Sequence, residues 1–242
     1  MTPIELVQTA SPIIGGIGGA FYFDPATLAR GKELGLDGFR FYMLGRCGVL
    51  GDVEPKVVQS AMGYFEPGMV TKLWDSARDR LQPREAGREY LACAQNFGIA
   101  KFSGLDGLEA YTEAAAKVVS AQDPGALALF SGIAAEPLAS DPAARSMQLT
   151  SVLREMRGSV HLAALAASGL SPEMAHRVRR PDDVAMFGWP EGAEVTDDHQ
   201  GRWQAAETLT DEILVTAWSC LTEAEGQTII DTVSAMQAVL AE

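Results

Sequence analysis

Helix-breaking residues divide this chain into short segments, and that division constrains the fold more than any other feature. Aspartate or serine precedes proline at several boundaries, as at Asp24-Pro25, Asp141-Pro142 and Ser171-Pro172. Such pairs are typical of the first turn of a helix, where the side chain caps the backbone and proline needs no hydrogen-bond acceptor. Between the boundaries, apolar residues recur every three or four positions, which is the period of a helix. The sequence therefore predicts an all-α protein.

The predicted helices fill most of the chain. They span approximately 3–22, 25–35, 37 onward, 54–63, 67–80, 83–98, 107–121, 125–135, 141–168, a short turn from 171, 204–221 and 222–240. Only residues 185–196 indicate a hairpin or wing, because Pro190, Glu191 and Gly192 separate two short apolar runs there. We predict two related halves, 1–138 and 139–242, of which the second is a degenerate winged helix with at most this short hairpin.

The longest predicted helix carries an apolar stripe with a cationic edge. At 100° per residue, Arg154, Arg157 and His161 fall together on the shoulder of the stripe. Side chains at this spacing can converge on one carboxylate or phosphate group, so they are candidates for binding an anionic ligand. The alternative is structural, with each group satisfied by a neighbouring carbonyl or acid. The predicted stripe consists of Leu149, Leu153, Met156, Val160, Ala163, Ala164 and Ala167.

Two further segments contain polar groups in apolar surroundings. Arg46 lies in FRFYMLGRCGVLG and must find a partner, either a buried acid such as Glu66 or Glu155 or a ligand. The segment GYFEPGMVTKLW supplies aromatic, acidic and thioether groups, which are either core or the wall of a pocket. We predict that five polar side chains converge on one buried site: Arg46, Tyr64, Glu66, Arg157 and His161. The catalytic candidates are His161, Glu66 and Tyr64, and the ligand-binding candidates are Arg46, Phe65, Met69, Arg154 and Arg157.

Cysteine usage and the N-terminal segment exclude several classes of protein. Cys47, Cys93 and Cys220 are widely spaced, with no Cys-x-x-Cys pair and no Cys/His cluster, so we expect packing roles, no disulfide framework and no metal site. We also expect no cofactor. The apolar stretch near the N-terminus is short, is broken by glycines and follows no basic region. We therefore expect no signal peptide, no membrane partner and a cytoplasmic location.

The negative charge of the chain is concentrated near its C-terminus. The net charge is −13, and residues 181–242 hold thirteen acids against a single base, Arg202. Exposed helical faces are the ordinary explanation of such a charge run. A segment of this charge should nevertheless repel phosphate, which argues against tight nucleic-acid binding. Arg177, Arg179 and Arg180, just before the segment, are the best remaining candidates for residual DNA contacts.

Three segments carry a resemblance to a known family. At GFRFYMLGRCGVLG, GYFEPGMV and LREMRGSVHLAALAASGLSP the chain resembles an actinobacterial helix-turn-helix family, largely uncharacterised and distantly related to MarR-type winged-helix regulators. The resemblance spans roughly residues 5–242 and is weak after Pro181. It implies a winged-helix ancestry. The positions that match the family's motifs are Arg46, Phe65, Pro67, Arg154, Glu155, Arg157, Gly158 and His161.

The chain also departs from that family. Members usually have an aromatic residue and an asparagine where this chain has Gly63 and Tyr64, and a histidine at Met156. Their helix-turn-helix and wing tend to be longer and more basic. These differences imply an altered pocket and a loss of DNA-reading chemistry.

Three functional hypotheses follow. The first is a protein that binds a small anionic or aromatic metabolite in a buried interhelical pocket, in secondary metabolism. It includes the possibility of a cofactor-independent acid/base enzyme and of a homodimer. The second hypothesis is a ligand-responsive, MarR-like transcriptional regulator. The third is an interaction protein with an acidic C-terminal face.

The charge distribution predicts that the protein does not bind duplex DNA tightly. In a mobility-shift assay on its own promoter region, at about 150 mM salt, we expect no shift at nanomolar protein, because phosphate contacts need clustered cations. Salt-sensitive nanomolar binding would restore the regulator hypothesis.

Overall fold

A computed structural model describes residues 1–241, and in that range every regular element is a helix, as predicted. Two 3₁₀ turns, Gly48–Leu50 and Pro181–Asp183, supplement the α-helices. The α-helices are α1 (Pro3–Gly18), α2 (Pro25–Glu33), α3 (Gly38–Cys47), α4 (Pro55–Met62), α5 (Pro67–Arg78), α6 (Pro83–Phe102), α7 (Leu108–Ala121), α8 (Ala128–Ala134), α9 (Pro142–Ala167), α10 (Pro172–Arg179), α11 (Asp197–Trp218) and α12 (Glu223–Ala241).

Side-chain caps fix most helix starts where the sequence places them. Asp24, Asp141 and Ser171 each accept a hydrogen bond from a backbone N–H of the first turn, and proline follows each of them. Several predicted bounds are wrong by three or more residues: α1 ends at Gly18 rather than 22, α8 begins at Ala128 rather than 125, and α11 ends at Trp218 rather than 221. α11 begins at Asp197 rather than 204, because Thr196 and His199 form a capping box, and α6 continues past Gly98 to Phe102.

The predicted hairpin at 185–196 does not form in the described structure. This segment consists of turns and irregular chain. Its apolar residues pack on the α4–α5 turn instead: the Phe187 ring stacks on Phe65 at 4.3 Å between centroids, and the Glu66 N–H donates to the Phe187 carbonyl. The alternation that resembles a strand therefore reflects tertiary packing.

α9 is the central helix and packs against α1, α6, α7, α8 and α11. Its predicted stripe is buried from Leu149 to Val160 and at Ala164, so the core prediction is confirmed there. Ala163 and Ala167 are exposed and were assigned wrongly, because only the opposite side of the helix end packs on α10 and α11. The division of the chain at residue 138 stays a prediction.

α4 and α5, joined by a short turn, resemble a helix-turn-helix motif. Four residues, Gly63–Glu66, join them, and Gly63 has a φ of +63°, which glycine adopts without the cost that a side chain would bring. A short turn that contains glycine is the signature of this motif. α3 packs against α5 and completes a three-helix unit.

Glycine 98 marks the closest approach of α6 to α9 and gives a test of the packing. A Cβ on Gly98 would lie 2.4 Å from the Ala143 carbonyl oxygen, whereas a Cβ on Gly16, within α1, would meet no atom within 4 Å. We expect Gly98→Ala to lower the free energy of unfolding by about 1–3 kcal/mol, the cost of overpacking. Gly16→Ala should raise it by about 0.5–1 kcal/mol. Urea denaturation measures both, and equal effects would contradict the packing described.

Candidate functional site

A buried ion pair joins α3 to α9. Arg46 donates from Nη2 to Glu155 Oε2 at 2.7 Å and from Nε to Oε1 at 3.0 Å. The Glu155 side chain is 2% exposed and that of Arg46 is 13% exposed. The predicted need of Arg46 for a partner is therefore met by Glu155, one of the two acids expected from the sequence.

Other polar groups complete this cluster. The Tyr22 hydroxyl and Arg154 Nη1 each donate to Glu155 Oε1 at 2.7 Å, and Arg46 Nη1 donates to the Tyr42 hydroxyl. Although burial opposes ionisation, the guanidinium groups of Arg46 and Arg154 and the donated hydrogen bonds hold the pKa of Glu155 at about 2. Two arginines share one carboxylate, so the cluster keeps a surplus positive charge.

A second cluster lies along α9 toward its C-terminus. Arg157 Nη2 donates to Glu207 Oε2 of α11 at 2.7 Å, and Asp211 lies 4.0 Å from the same nitrogen. His161 is buried, with its Nδ1 atom 2.9 Å from the Thr210 hydroxyl and its Nε2 atom 3.4 Å from Glu207 Oε1. Burial lowers the pKa of His161, and Arg157 lowers it further, while Glu207 opposes both.

Tyr64 lies between the two clusters. Its ring is nearly parallel to that of His161, with 6.3 Å between centroids. Burial raises the pKa of its phenol, and the charges of Glu207, Arg157 and Arg46 all act on it. The α4–α5 turn places Tyr64 there, because Gly63 packs directly on Leu162 of α9.

Gly158 has no side chain, so the surface of α9 between Arg154 and Leu162 is uncovered there. A Cβ on Gly158 would meet no atom within 4 Å, and the residue is only half-buried. Arg154 and Leu162 lie one turn away on either side, and His161 lies three residues on, so all three border the same face of the helix. We use the name Gly158 groove for this uncovered strip of α9, which Arg154 and Leu162 flank and which His161, with the Tyr64 ring 6.3 Å from its own, borders.

The structure separates Glu66, Phe65 and Met69 from the groove. The Glu66 carboxylate accepts hydrogen bonds from the backbone N–H groups of Gly68 and Met69, so it caps α5. Phe65 is buried against Phe187, and Met69 packs against Gly188. The prediction that five polar side chains converge on one point is wrong for Glu66, since a cap already satisfies it. Arg46 and Arg157 bind different carboxylates.

Several residues of these clusters were not singled out from the sequence as site residues. Tyr22 ends the first predicted helix, and Tyr42 lies one turn before Arg46, which is the one local signal that pointed to it. Glu207 and Thr210 lie in the acidic C-terminal part, where a partner of α9 cannot be told from a solvated acid.

A small cavity lies on the other side of the first cluster, between α3, α6 and α9. Its volume is about 40 Å³, and Arg46, Glu155 and Tyr90 contribute to its wall. The Tyr90 hydroxyl is buried and has no hydrogen-bond partner among residues 1–241. A cavity of this volume accommodates a few water molecules, which is too small for a metabolite.

None of the three cysteine thiols is activated as a nucleophile, because none has a lowered pKa. All three are free, and burial raises the pKa of the Cys47 thiol to about 12, which opposes thiolate formation. Among residues 1–241 no group of three or more His, Cys, Asp or Glu side chains is placed to hold a metal ion. In the same range, every helix is too short or too polar to cross a membrane.

Comparison with protein families identifies the family to which the chain belongs. The sequence profile of a helix-turn-helix family matches residues 7–186, about three quarters of its length. The chain belongs to this family. No curated protein matches it, and no solved structure matches it. The family match covers α1 to α10 and ends before α11, which supplies Glu207 and Thr210.

The Arg46–Glu155 pair predicts an acid-sensitive stability. Because the pKa of Glu155 is about 2, below the ordinary value of 4.5, its contribution is complete above about pH 5 and is lost as the pH falls toward 2. Glu155→Gln should lower the free energy of unfolding at pH 7 by about 3–5 kcal/mol, since it leaves Arg46 without its charged partner. It should also flatten the profile between pH 5 and 2. Denaturant titrations across that range measure both effects.

Glu89→Gln is the matched control for this prediction. Glu89 pairs with Arg30 near the surface, where both side chains are at least 30% exposed. Its loss should cost less than about 1 kcal/mol. If the two variants behave alike, the Arg46–Glu155 pair is not the stabilising element.

Proposed function

We propose that this protein binds a small anionic metabolite at the Gly158 groove. The observation that carries this proposal is the surplus positive charge of Arg46 and Arg154 around the single carboxylate of Glu155, next to the uncovered surface of α9 at Gly158. The side chains of Arg154 and Arg157 are each 28% exposed. Their guanidinium groups remain available to a ligand, although each already contacts a carboxylate.

The charges favour an anion at the Arg154 end of the groove. There, Arg46 and Arg154 share the single carboxylate of Glu155, and a further negative charge would neutralise the surplus. At the other end, the two carboxylates of Glu207 and Asp211 outnumber the single guanidinium group of Arg157, so that end does not attract an anion. A carboxylate suits this site, because the planar guanidinium group binds carboxylates in a bidentate manner.

The wall of the groove favours a compact, flat ligand. The half-buried ring of Tyr64 faces this region from the α4–α5 turn, and the Leu162 side chain packs beneath the same turn. Aromatic and aliphatic walls with a few convergent polar groups are typical of metabolite sites. Catalysis by the protein, a role in secondary metabolism and a cytoplasmic location stay predictions.

DNA-binding regulation is the second candidate function, and family membership favours it. A MarR-type ancestry would make α5 the helix that enters the major groove. In this chain, however, Lys72 is the only cation in the first two turns of α5. Phe187 and Gly188 also lie against Phe65 and Met69, at the start of α5. We infer that the motif is retained for its packing and that DNA binding has been lost.

Filling the groove tests the proposal. We expect benzoate, used as a probe, to bind the protein at millimolar or lower concentration in isothermal titration calorimetry, and uncharged benzamide to bind at least tenfold more weakly. Gly158→Leu should abolish benzoate binding, since its side chain would occupy the empty space. The melting temperature should not fall, because leucine is a better helix former than glycine.

Gly16→Leu is the matched control for Gly158→Leu. Gly16 also lies within a helix, and a Cβ there would likewise meet nothing within 4 Å. This variant should bind benzoate as the unmodified protein does. Undiminished binding by Gly158→Leu, or equal binding of benzamide, would show that the groove is not an anion site.

A further inference from the structure

His176 of α10 lies beside a strap of chain that covers the start of α5. The strap comprises residues 184–190, between the second 3₁₀ turn and α11, and consists of turns and irregular chain. Its Phe187 ring lies between two others, with centroid distances of 4.3 Å to Phe65 and 4.0 Å to His176. The His176 imidazole is therefore one wall of the slot that holds Phe187.

Two hydrogen bonds join the strap to the α4–α5 turn. The Phe187 carbonyl accepts from the Glu66 N–H at 2.9 Å, and Trp189 Nε1 donates to the Tyr64 carbonyl at 2.7 Å. Gly188 lies against the Met69 side chain. These contacts are few and local, so the strap can open while the α-helices stay folded.

A third hydrogen bond joins the strap to α10. Arg177 Nη2 donates to the Pro190 carbonyl at 2.6 Å, and the same guanidinium group binds the Glu173 carboxylate. Arg177 is buried and directly follows His176 in the chain. A permanent cation thus lies close to the imidazole while the strap is closed.

His176 is 4% exposed, and its Nε2 atom has no hydrogen-bond partner among residues 1–241. A neutral imidazole can leave its lone pair on Nε2, but an imidazolium ion must carry a hydrogen there, and that hydrogen has no acceptor. A buried charged donor without an acceptor is costly. Stacking on Phe187 attracts a cation, yet it supplies no acceptor for Nε2. The closed strap therefore favours the neutral ring.

The charges around His176 act in the same direction. Besides burial, Arg180 and Arg177 of α10 oppose its protonation, whereas Asp183 of the 3₁₀ turn favours it. The Tyr64 ring faces it from the α4–α5 turn, at 6.4 Å between centroids. Burial and the two arginines outweigh Asp183, so the pKa of His176 lies below its ordinary value of 6.5.

We propose that His176 is an acid-sensitive latch: its protonation releases Phe187 from the slot, opens the 184–190 strap and uncovers Phe65 and Met69 at the start of α5. The latch does not depend on a ligand in the Gly158 groove. In the open state the imidazole is in water, where its pKa returns toward 6.5. The open state therefore binds a proton more readily than the closed state. The ratio of closed to open strap is constant well above pH 6.5 and falls by up to about tenfold per pH unit below it, until the lower pKa of the closed state is reached.

Hydrogen exchange of the Glu66 backbone N–H tests the latch, because this N–H is bonded to the strap. Its protection factor, relative to the intrinsic exchange rate at each pH, should fall about threefold or more between about pH 7 and about pH 5. The Val160 N–H, in the buried middle of α9, should keep its protection over the same range. An unchanged protection of Glu66 in the unmodified protein would overturn the proposal. An equal fall at Val160 would also overturn it, since the whole protein would then respond to acid.

Substitutions identify the group that titrates. His176→Phe retains an aromatic ring that cannot be protonated, so the protection of the Glu66 N–H should no longer depend on pH. His199→Gln, in the capping box of α11, is the matched control and should behave as the unmodified protein does. Phe187→Ala empties the slot and should remove the protection of Glu66 at every pH. A fall that persists in His176→Phe, or full protection in Phe187→Ala, would show that His176 and Phe187 do not hold the strap.

Discussion

The ion pair between Arg46 and Glu155 is the interaction on which the rest of this structure depends. A carboxylate that is 2% exposed cannot stay ionised without compensation, and here Arg46, Arg154 and Tyr22 together supply it. These groups come from α3, α9 and the turn between α1 and α2, so satisfying one charge fixes three separate parts of the chain. The same arrangement leaves a surplus positive charge beside Gly158, where the helix has no side chain.

This arrangement separates the family's fold from its expected activity. The α4–α5 pair resembles a helix-turn-helix, but its turn positions Tyr64 near α9 and is packed beneath Phe187. The partners of Arg157 and His161 come from α11, which lies beyond the part of the chain that matches the family. A segment that sequence reasoning treats as an acidic surface thus supplies Glu207 and Thr210 to the buried histidine. Fold alone does not settle function, and in this chain the difference arises at these contacts.

The sequence predicts those features that depend on local chemistry. Asp24, Asp141 and Ser171 mark helix starts because capping is a contact within one turn, and Arg46 indicates a buried acid because an isolated buried charge is too costly. The sequence does not predict features that depend on residues distant in the chain. Glu66 has the same local pattern whether it caps a helix or acts as a base, and the apolar residues at 185–196 resemble a strand although they pack on a turn. Only the tertiary contacts decide between such alternatives.

Crystallographic difference density from crystals grown with benzoate tests the central claim most directly. The account predicts a ligand above Gly158, with its carboxylate within hydrogen-bond distance of the Arg154 guanidinium group. Density for the ligand elsewhere, or an unoccupied groove at saturating concentration, would contradict the account.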